Sequence, residues 1–168
     1  ADLIGKGIDQ IQWLTVDSGS TKRSREHPAY WEDRRFNNPS QPVVGLTWFE
    51  ARAYCSWLSV IVGRPIRLPT GAEWVAAARG LEPRAYPWGR DWDAVCANTI
   101  ESRVHRPSPV GAFGACGATG PFGGEDQSGN VWEWSGTAAR RSDGNLGLEA
   151  GQAADEDALL EMYGGSWG

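Results

Sequence analysis

Apolar and polar positions follow no single period along this chain, and only two stretches repeat with a helical spacing. Phe49, Ala53 and Trp57 lie four apart, with Tyr54 and Leu58 beside them, which predicts a helix carrying one buried stripe. Thr47-Trp48-Phe49-Glu50 precedes it as a capping box, in which hydroxyl and carboxylate satisfy each other's backbone N–H. Such an N-cap contributes about 0.5–2 kcal/mol over alanine. Gly63 and Pro65 end the run. Thr70-Gly71-Ala72-Glu73 repeats the device, opens a helix over 74–79, and is closed by Gly80. Turns and short strands are expected over Tyr86–Gly89, Pro109–Phe113, Val131–Trp134 and Leu159–Tyr163, with a helix over Asp155–Leu160 as a competing reading. Ile8–Val16 reads as a strand before an Asp17-Ser18-Gly19-Ser20 turn. The polar, acidic, Gly/Ala-rich stretch 142–157 reads as a surface insertion. The pattern predicts a single α+β domain over 1–168, in which loops outweigh regular structure.

Composition sharpens this picture. Ten tryptophans and 22 glycines among 168 residues imply a core threaded by indole N–H hydrogen bonds and loops with unusual backbone angles. A formal net charge of −5 excludes phosphate-backbone binding as the main function, so no nucleic-acid partner is expected. The basic cluster Lys22-Arg23-Ser24-Arg25, with Arg34 and Arg35, reads as a solvated face. Cys55, Cys96 and Cys116 have neither zinc spacing nor a disulfide framework, and one disulfide plus a free thiol is the alternative to three reduced thiols. With no leader visible at residue 1, an intracellular, cytoplasmic chain is the simpler expectation. No apolar run approaches the roughly 18 residues that span a bilayer.

The densest chemistry lies in Asp126-Gln127-Ser128-Gly129-Asn130-Val131-Trp132-Glu133-Trp134. Two carboxylates flank a Gly-Asn turn, a spacing of oxygen ligands that suits a hard cation. The same residues also fit a turn cap at Asp126 and an arginine partner for Glu133. Trp132 and Trp134 are expected to pack the core.

Six segments occur in order: Pro42–Ala51, Arg67–Trp74, Tyr86-Pro87-Trp88-Gly89, Asn98-Thr99, Pro109-Val110-Gly111 and Gly129–Trp134. Together they resemble the formylglycine-generating-enzyme (sulfatase-modifying factor) domain, over roughly residues 28–168, with 1–27 poorly matched. The resemblance implies a variant of the C-type lectin fold, with a small twisted antiparallel sheet, two flanking helices and extensive irregular loops. It also implies a structural calcium site formed by the side chains of Asp126 and Glu133 and the carbonyls of Gly129 and Val131. Some family members hold a second calcium near Asn98-Thr99. Here Glu101–Pro107 departs from the pattern of the partner ligands, and Asn98 is expected to make turn hydrogen bonds instead.

The enzymes of the family oxidise a substrate cysteine with a copper-binding cysteine pair placed just after a Gly-Gly-Ser segment. Here Gly164-Gly165-Ser166-Trp167 is followed only by Gly168, and none of the three cysteines matches that pair, so copper is not expected in this chain. His27 and His105 stand in unrelated contexts and do not resemble the histidine triad of the hercynine-oxidising branch. The non-catalytic branch comprises variable proteins of diversity-generating retroelements. It uses the same fold as a rigid frame and places its changeable residues around a Gly-Gly-Ser-Trp segment. The favoured expectation is therefore a binding module of that type with a protein or other macromolecular ligand. The alternative is a formylglycine-generating or related oxidoreductase domain.

Overall fold

A computed structural model describes residues 27–138 and 160–168. Helix α1 (Trp48–Val62) starts where the first capping box predicts. Thr47 Oγ1 accepts from the Glu50 N–H at 3.3 Å, and Glu50 Oε2 accepts from the Thr47 N–H at 2.6 Å. Gly63 ends it at φ 65°, a left-handed angle that costs a glycine little. Helix α2 (Gly71–Arg79) has the same device at Thr70 and Glu73. The Glu73 carboxylate also takes both ends of the Arg67 guanidinium, each at 2.7 Å.

That Arg67 fork, followed by the Thr70 N–H, lowers the Glu73 carboxyl from its ordinary 4.5 to about 2. A depressed folded pKa means that the stabilisation is complete above pH 4.5 and is lost as pH falls toward 2. The melting temperature of the wild type should therefore exceed that of Glu73→Gln at neutral pH, with the gap closing between pH 4.5 and 2. A gap that stays constant across this window would show that the charge on Glu73 contributes nothing.

Strand β1 (Glu133–Ala138) pairs antiparallel with β2 (Leu160–Tyr163). Glu133 faces Tyr163 and Trp134 faces Met162, and a bulge precedes the Ala138–Leu160 pair. The expected strand at Val131 thus begins two residues later, and β2 confirms the expectation at Tyr163. Leu160 belongs to β2, which removes the end of the competing Asp155–Leu160 helix; the remainder of that helix, Ile8–Val16, Lys22–Arg25 and 142–157 lie outside the described residues. Of the segments read as turns or short strands, Pro109–Phe113 is a turn, closed by the Ala112 N–H on the Pro109 carbonyl at 3.1 Å. Tyr86–Gly89 is likewise a tight turn, with one bridge pair between its ends.

The tryptophans join these elements as their number suggested. Trp48, 4% exposed, donates from Nε1 to the Ser135 carbonyl at 2.7 Å. Trp134 donates to the Leu46 carbonyl at 3.1 Å, and Trp74 to the Glu133 carboxylate at 2.6 Å. Trp74 also stacks on Tyr163, with ring centroids 5.1 Å apart, so α2 lies against both strands. Each indole fills apolar space and closes one long-range polar contact.

Two packing expectations fail. The α1 stripe is not a buried seam: Trp57 is 46% and Tyr54 58% exposed, and they pack on each other. The helix is instead anchored at its first residue, Trp48, which sits outside the four-residue repeat. Trp132 is 55% exposed rather than in the core, because it occupies the irregular residue just before β1, where strand alternation has not begun.

Candidate metal centre

Two asparagines that periodicity does not single out organise the loops around the acidic motif. Asn98 and Asn130 are 1% and 2% exposed. Asn130 Oδ1 accepts from the Ser108 N–H at 2.9 Å, and its Nδ2 donates to the Ser108 carbonyl at 3.4 Å. Asn98 Nδ2 reaches the Arg106 carbonyl at 2.9 Å, Ser108 Oγ at 3.2 Å and Asn130 Oδ1 at 3.4 Å. Ser102 Oγ donates back to Asn98 Oδ1 at 3.0 Å, so Asn98 does close its local turn, as expected, while also holding a distant loop. The backbone joins the same pair through the Asn130 N–H on the Asn98 carbonyl at 2.7 Å. Buried amides tolerate this position because their polar atoms are paired.

The chain reaches this hub through consecutive left-handed residues, Gly129 at φ 80° and Asn130 at φ 64°. Glycine is required at 129 for a second reason. A Cβ there would lie 2.5 Å from the Asn98 carbonyl oxygen. Asparagine at 130 is among the few residues with a side chain that adopt such an angle readily.

Asp126 and Glu133 flank this turn. Asp126, itself at φ 56°, accepts from the Gly111 N–H at 2.8 Å, and Glu133 accepts from Trp74. The turn-cap reading of Asp126 is therefore realised, whereas the partner of Glu133 is an indole and not an arginine. Burial pushes the Asp126 carboxyl above its ordinary range; the Gly111 N–H opposes the push and the charge on Glu125 adds to it. Burial also raises Glu133, Trp74 opposes the rise, and the charge on Asp126 adds to it. Both motif carboxylates are thus desolvated, and the charge on Asp126 adds to the cost of ionising Glu133. Glu125 Oε2 is buried with no hydrogen-bond partner, although its other oxygen accepts from Thr119 Oγ1 at 2.9 Å.

This donor chemistry fits a hard cation: the charge cost of two desolvated carboxylates is what a bound divalent ion would compensate. Among the described residues no three His, Cys, Asp or Glu side chains converge as a metal-binding group. A cation here would accordingly take two carboxylates and complete its shell with carbonyl oxygens and water. Gly129 and Val131 are placed in the same turn.

The last residues are tied to this centre. The Gly129 N–H donates to the Gly164 carbonyl at 2.7 Å, and the Trp167 N–H donates to the Asn130 carbonyl at 3.1 Å. Trp167 packs against Phe36, with centroids 6.0 Å apart. Phe36 in turn lines a shallow pocket with Tyr30, Trp31, Asn38, Pro42 and Val43.

Residues 7–168 match the sulfatase-modifying factor enzyme 1-like domain. The chain belongs to this family. It is 38% identical over 137 residues to the inactive C-alpha-formylglycine-generating enzyme 2 of Bos taurus, covering 75% of this chain and 38% of that protein. It is 37% identical over 153 residues to the hercynine oxygenase of Mycolicibacterium smegmatis, covering 80% of this chain and 33% of that protein. The structure of PvdO from Pseudomonas aeruginosa aligns with a TM-score of 0.60 at 27% identity, over 77% of this chain and 51% of that one. The chain spans well under half the length of these curated relatives. His27, His105 and Cys55 join no metal-binding group among the described residues of this sulfatase-modifying-factor domain. His27 is exposed and stacks on Trp31, and His105 is exposed on a loop. Cys55 is half-buried on α1. No described helix is long and apolar enough to cross a membrane. Arg35 forms an exposed pair with Asp33 at 2.6 Å, in keeping with a solvated basic face.

Proposed function

We propose that this chain is the frame of a non-catalytic binding module, built on the formylglycine-generating-enzyme variant of the C-type lectin fold and fastened by calcium. Its ligand is a protein or another macromolecule. The observation that carries the reading is the tether of Gly164 and Trp167 to the Gly129-Asn130 backbone, beside an aromatic pocket. A segment held on a buried polar hub is preorganised for display, and preorganisation reduces the ordering cost of binding. Exposed Tyr30 and Trp31 supply the large, amphipathic contact area that recurs at protein interfaces. A relative named as inactive supports the view that this frame occurs without the activity. The placement of Gly-Gly-Ser-Trp suits the variable-protein type, in which neighbouring positions change while the frame stays constant.

In this reading the Asp126 and Glu133 carboxylates and the Gly129 and Val131 carbonyls hold the ion. The calcium supplies charge compensation and joins the motif loop to β1. Chelation should lower the melting temperature of the wild type, and Glu133→Ala should abolish that dependence while lowering stability by about 1–3 kcal/mol, since Trp74 Nε1 loses its acceptor. A melting temperature indifferent to chelator, with Glu133→Ala costing less than about 1 kcal/mol, would remove calcium from the proposal.

The catalytic alternative rests on relatives named formylglycine-generating enzyme and hercynine oxygenase. Copper-supplied full-length protein, incubated with a cysteine-containing sulfatase peptide, decides between them. The display reading expects the cysteine to remain unchanged, and its conversion to formylglycine would sink that reading.

A further inference from the structure

Two of the three cysteines meet across loops that lie far apart in the chain. Cys96 ends the 3-10 turn Ala94–Cys96 and is 3% exposed, whereas Cys116 ends the 3-10 turn Gly114–Cys116 and is exposed. The Cys96 thiol donates to the Cys116 carbonyl oxygen at 2.8 Å. Burial holds Cys96 protonated, and the nearby Asp93 and Cys116 groups add to that effect. An exposed cysteine therefore lies against a thiol that is screened from solvent.

We propose that Cys96 and Cys116 form a reversible disulfide by exchange with a small-molecule disulfide such as oxidised glutathione. Cys116, the accessible partner, loses its proton to solvent and its sulfur attacks the S–S bond of the small molecule. A mixed disulfide forms and one small thiolate leaves. Cys96 then loses its proton to solvent and attacks the Cys116 sulfur, releasing the second small thiolate. Two protein thiols are oxidised and one small disulfide is reduced to two thiols, so electrons and protons balance. Burial makes Cys96 the resolving sulfur rather than the entry point, since thiolate character and access govern which thiol reacts first.

The link joins the two loops that feed the metal centre. Cys96 lies two residues before Asn98, and the Cys116 turn leads into Thr119 and Glu125, which are hydrogen-bonded to each other. Oxidation would thus tighten the loops around the asparagine hub without touching Asp126 or Glu133, and the proposal stands independently of calcium and of the display reading.

The test is incubation of the reduced protein with oxidised glutathione, followed by denaturation, alkylation and peptide mapping. The expected product is one Cys96–Cys116 link, with Cys55 still alkylated, a raised melting temperature, and reversal of both changes by dithiothreitol. In Cys116→Ser, which alters an exposed side chain, Cys96 should remain a thiol. A stable glutathione adduct on Cys116 beside an alkylated Cys96, a link to Cys55, or no reaction would overturn the proposal. Oxidation of Cys96 in Cys116→Ser would overturn the order of attack.

Discussion

Asn130→Ala is expected to lower stability by about 3–5 kcal/mol, read as a fall in the urea midpoint. The side chain is buried and holds both the N–H and the carbonyl of Ser108 as well as the Asn98 amide. Alanine leaves buried backbone groups of Ser108 without their partner, at about 1–3 kcal/mol each. It also leaves a Cβ at φ 64° without the amide side chain that makes this angle accessible to asparagine. Asn130→Gly separates the two effects: it keeps the hydrogen-bond loss and relieves the backbone, so it should exceed the alanine variant by about 1 kcal/mol. Against a typical total of about 5–15 kcal/mol, the alanine variant approaches the unfolding threshold. An alanine variant within about 1 kcal/mol of wild type would mean that the hub is not what fastens these loops.

Trp48→Ala should cost a similar amount, about 3–5 kcal/mol. Trp48 sits at the first position of α1, packs edge-on against Phe49 with centroids 5.1 Å apart, lies under the Arg52 guanidinium at 4.6 Å, and donates to Ser135 in β1. Truncation opens a cavity where α1 meets the sheet and leaves the Ser135 carbonyl unpaired. Trp48→Phe retains most of the apolar volume and should lose only about 1–3 kcal/mol, chiefly from the unpaired carbonyl. By contrast, Trp57→Ala on the exposed side of the same helix should stay within about 1 kcal/mol. Equal losses for Trp48→Ala and Trp57→Ala, measured by denaturant unfolding, would restore the four-residue stripe as the helix anchor.

That contrast shows where sequence reasoning works in this chain. Capping boxes are local: Thr47 and Glu50, or Thr70 and Glu73, lie within one turn and find each other in any helix that starts there. Both helices were accordingly legible, as was the β2 segment ending at Tyr163. The burial of the α1 face was not, because which side of a helix meets the sheet depends on the neighbour and not on the helix's own repeat. Trp48 anchors α1 through Ser135, 87 residues away, and nothing within the helix encodes that partner. Whether Pro109–Phe113 is turn or strand has a related cause: Gly111 at φ 75° bends the chain so that its N–H meets Asp126.

For the candidate centre, the string from Asp126 to Trp134 identified the acidic motif, and its Gly-Asn pair announced a turn. It carried no sign that Asn98 would complete the hub, or that Trp74 rather than an arginine would meet Glu133. By itself the sequence determined the family, both helix starts and the position of the acidic turn, because these depend on neighbouring residues and on ordered motifs. Tertiary structure alone decided the asparagine hub, the desolvation of Asp126 and Glu133, the meeting of Cys96 with Cys116, and the tether of Trp167. Each of these joins groups far apart along the chain, and burial, which sets their strength, exists only once the loops have closed.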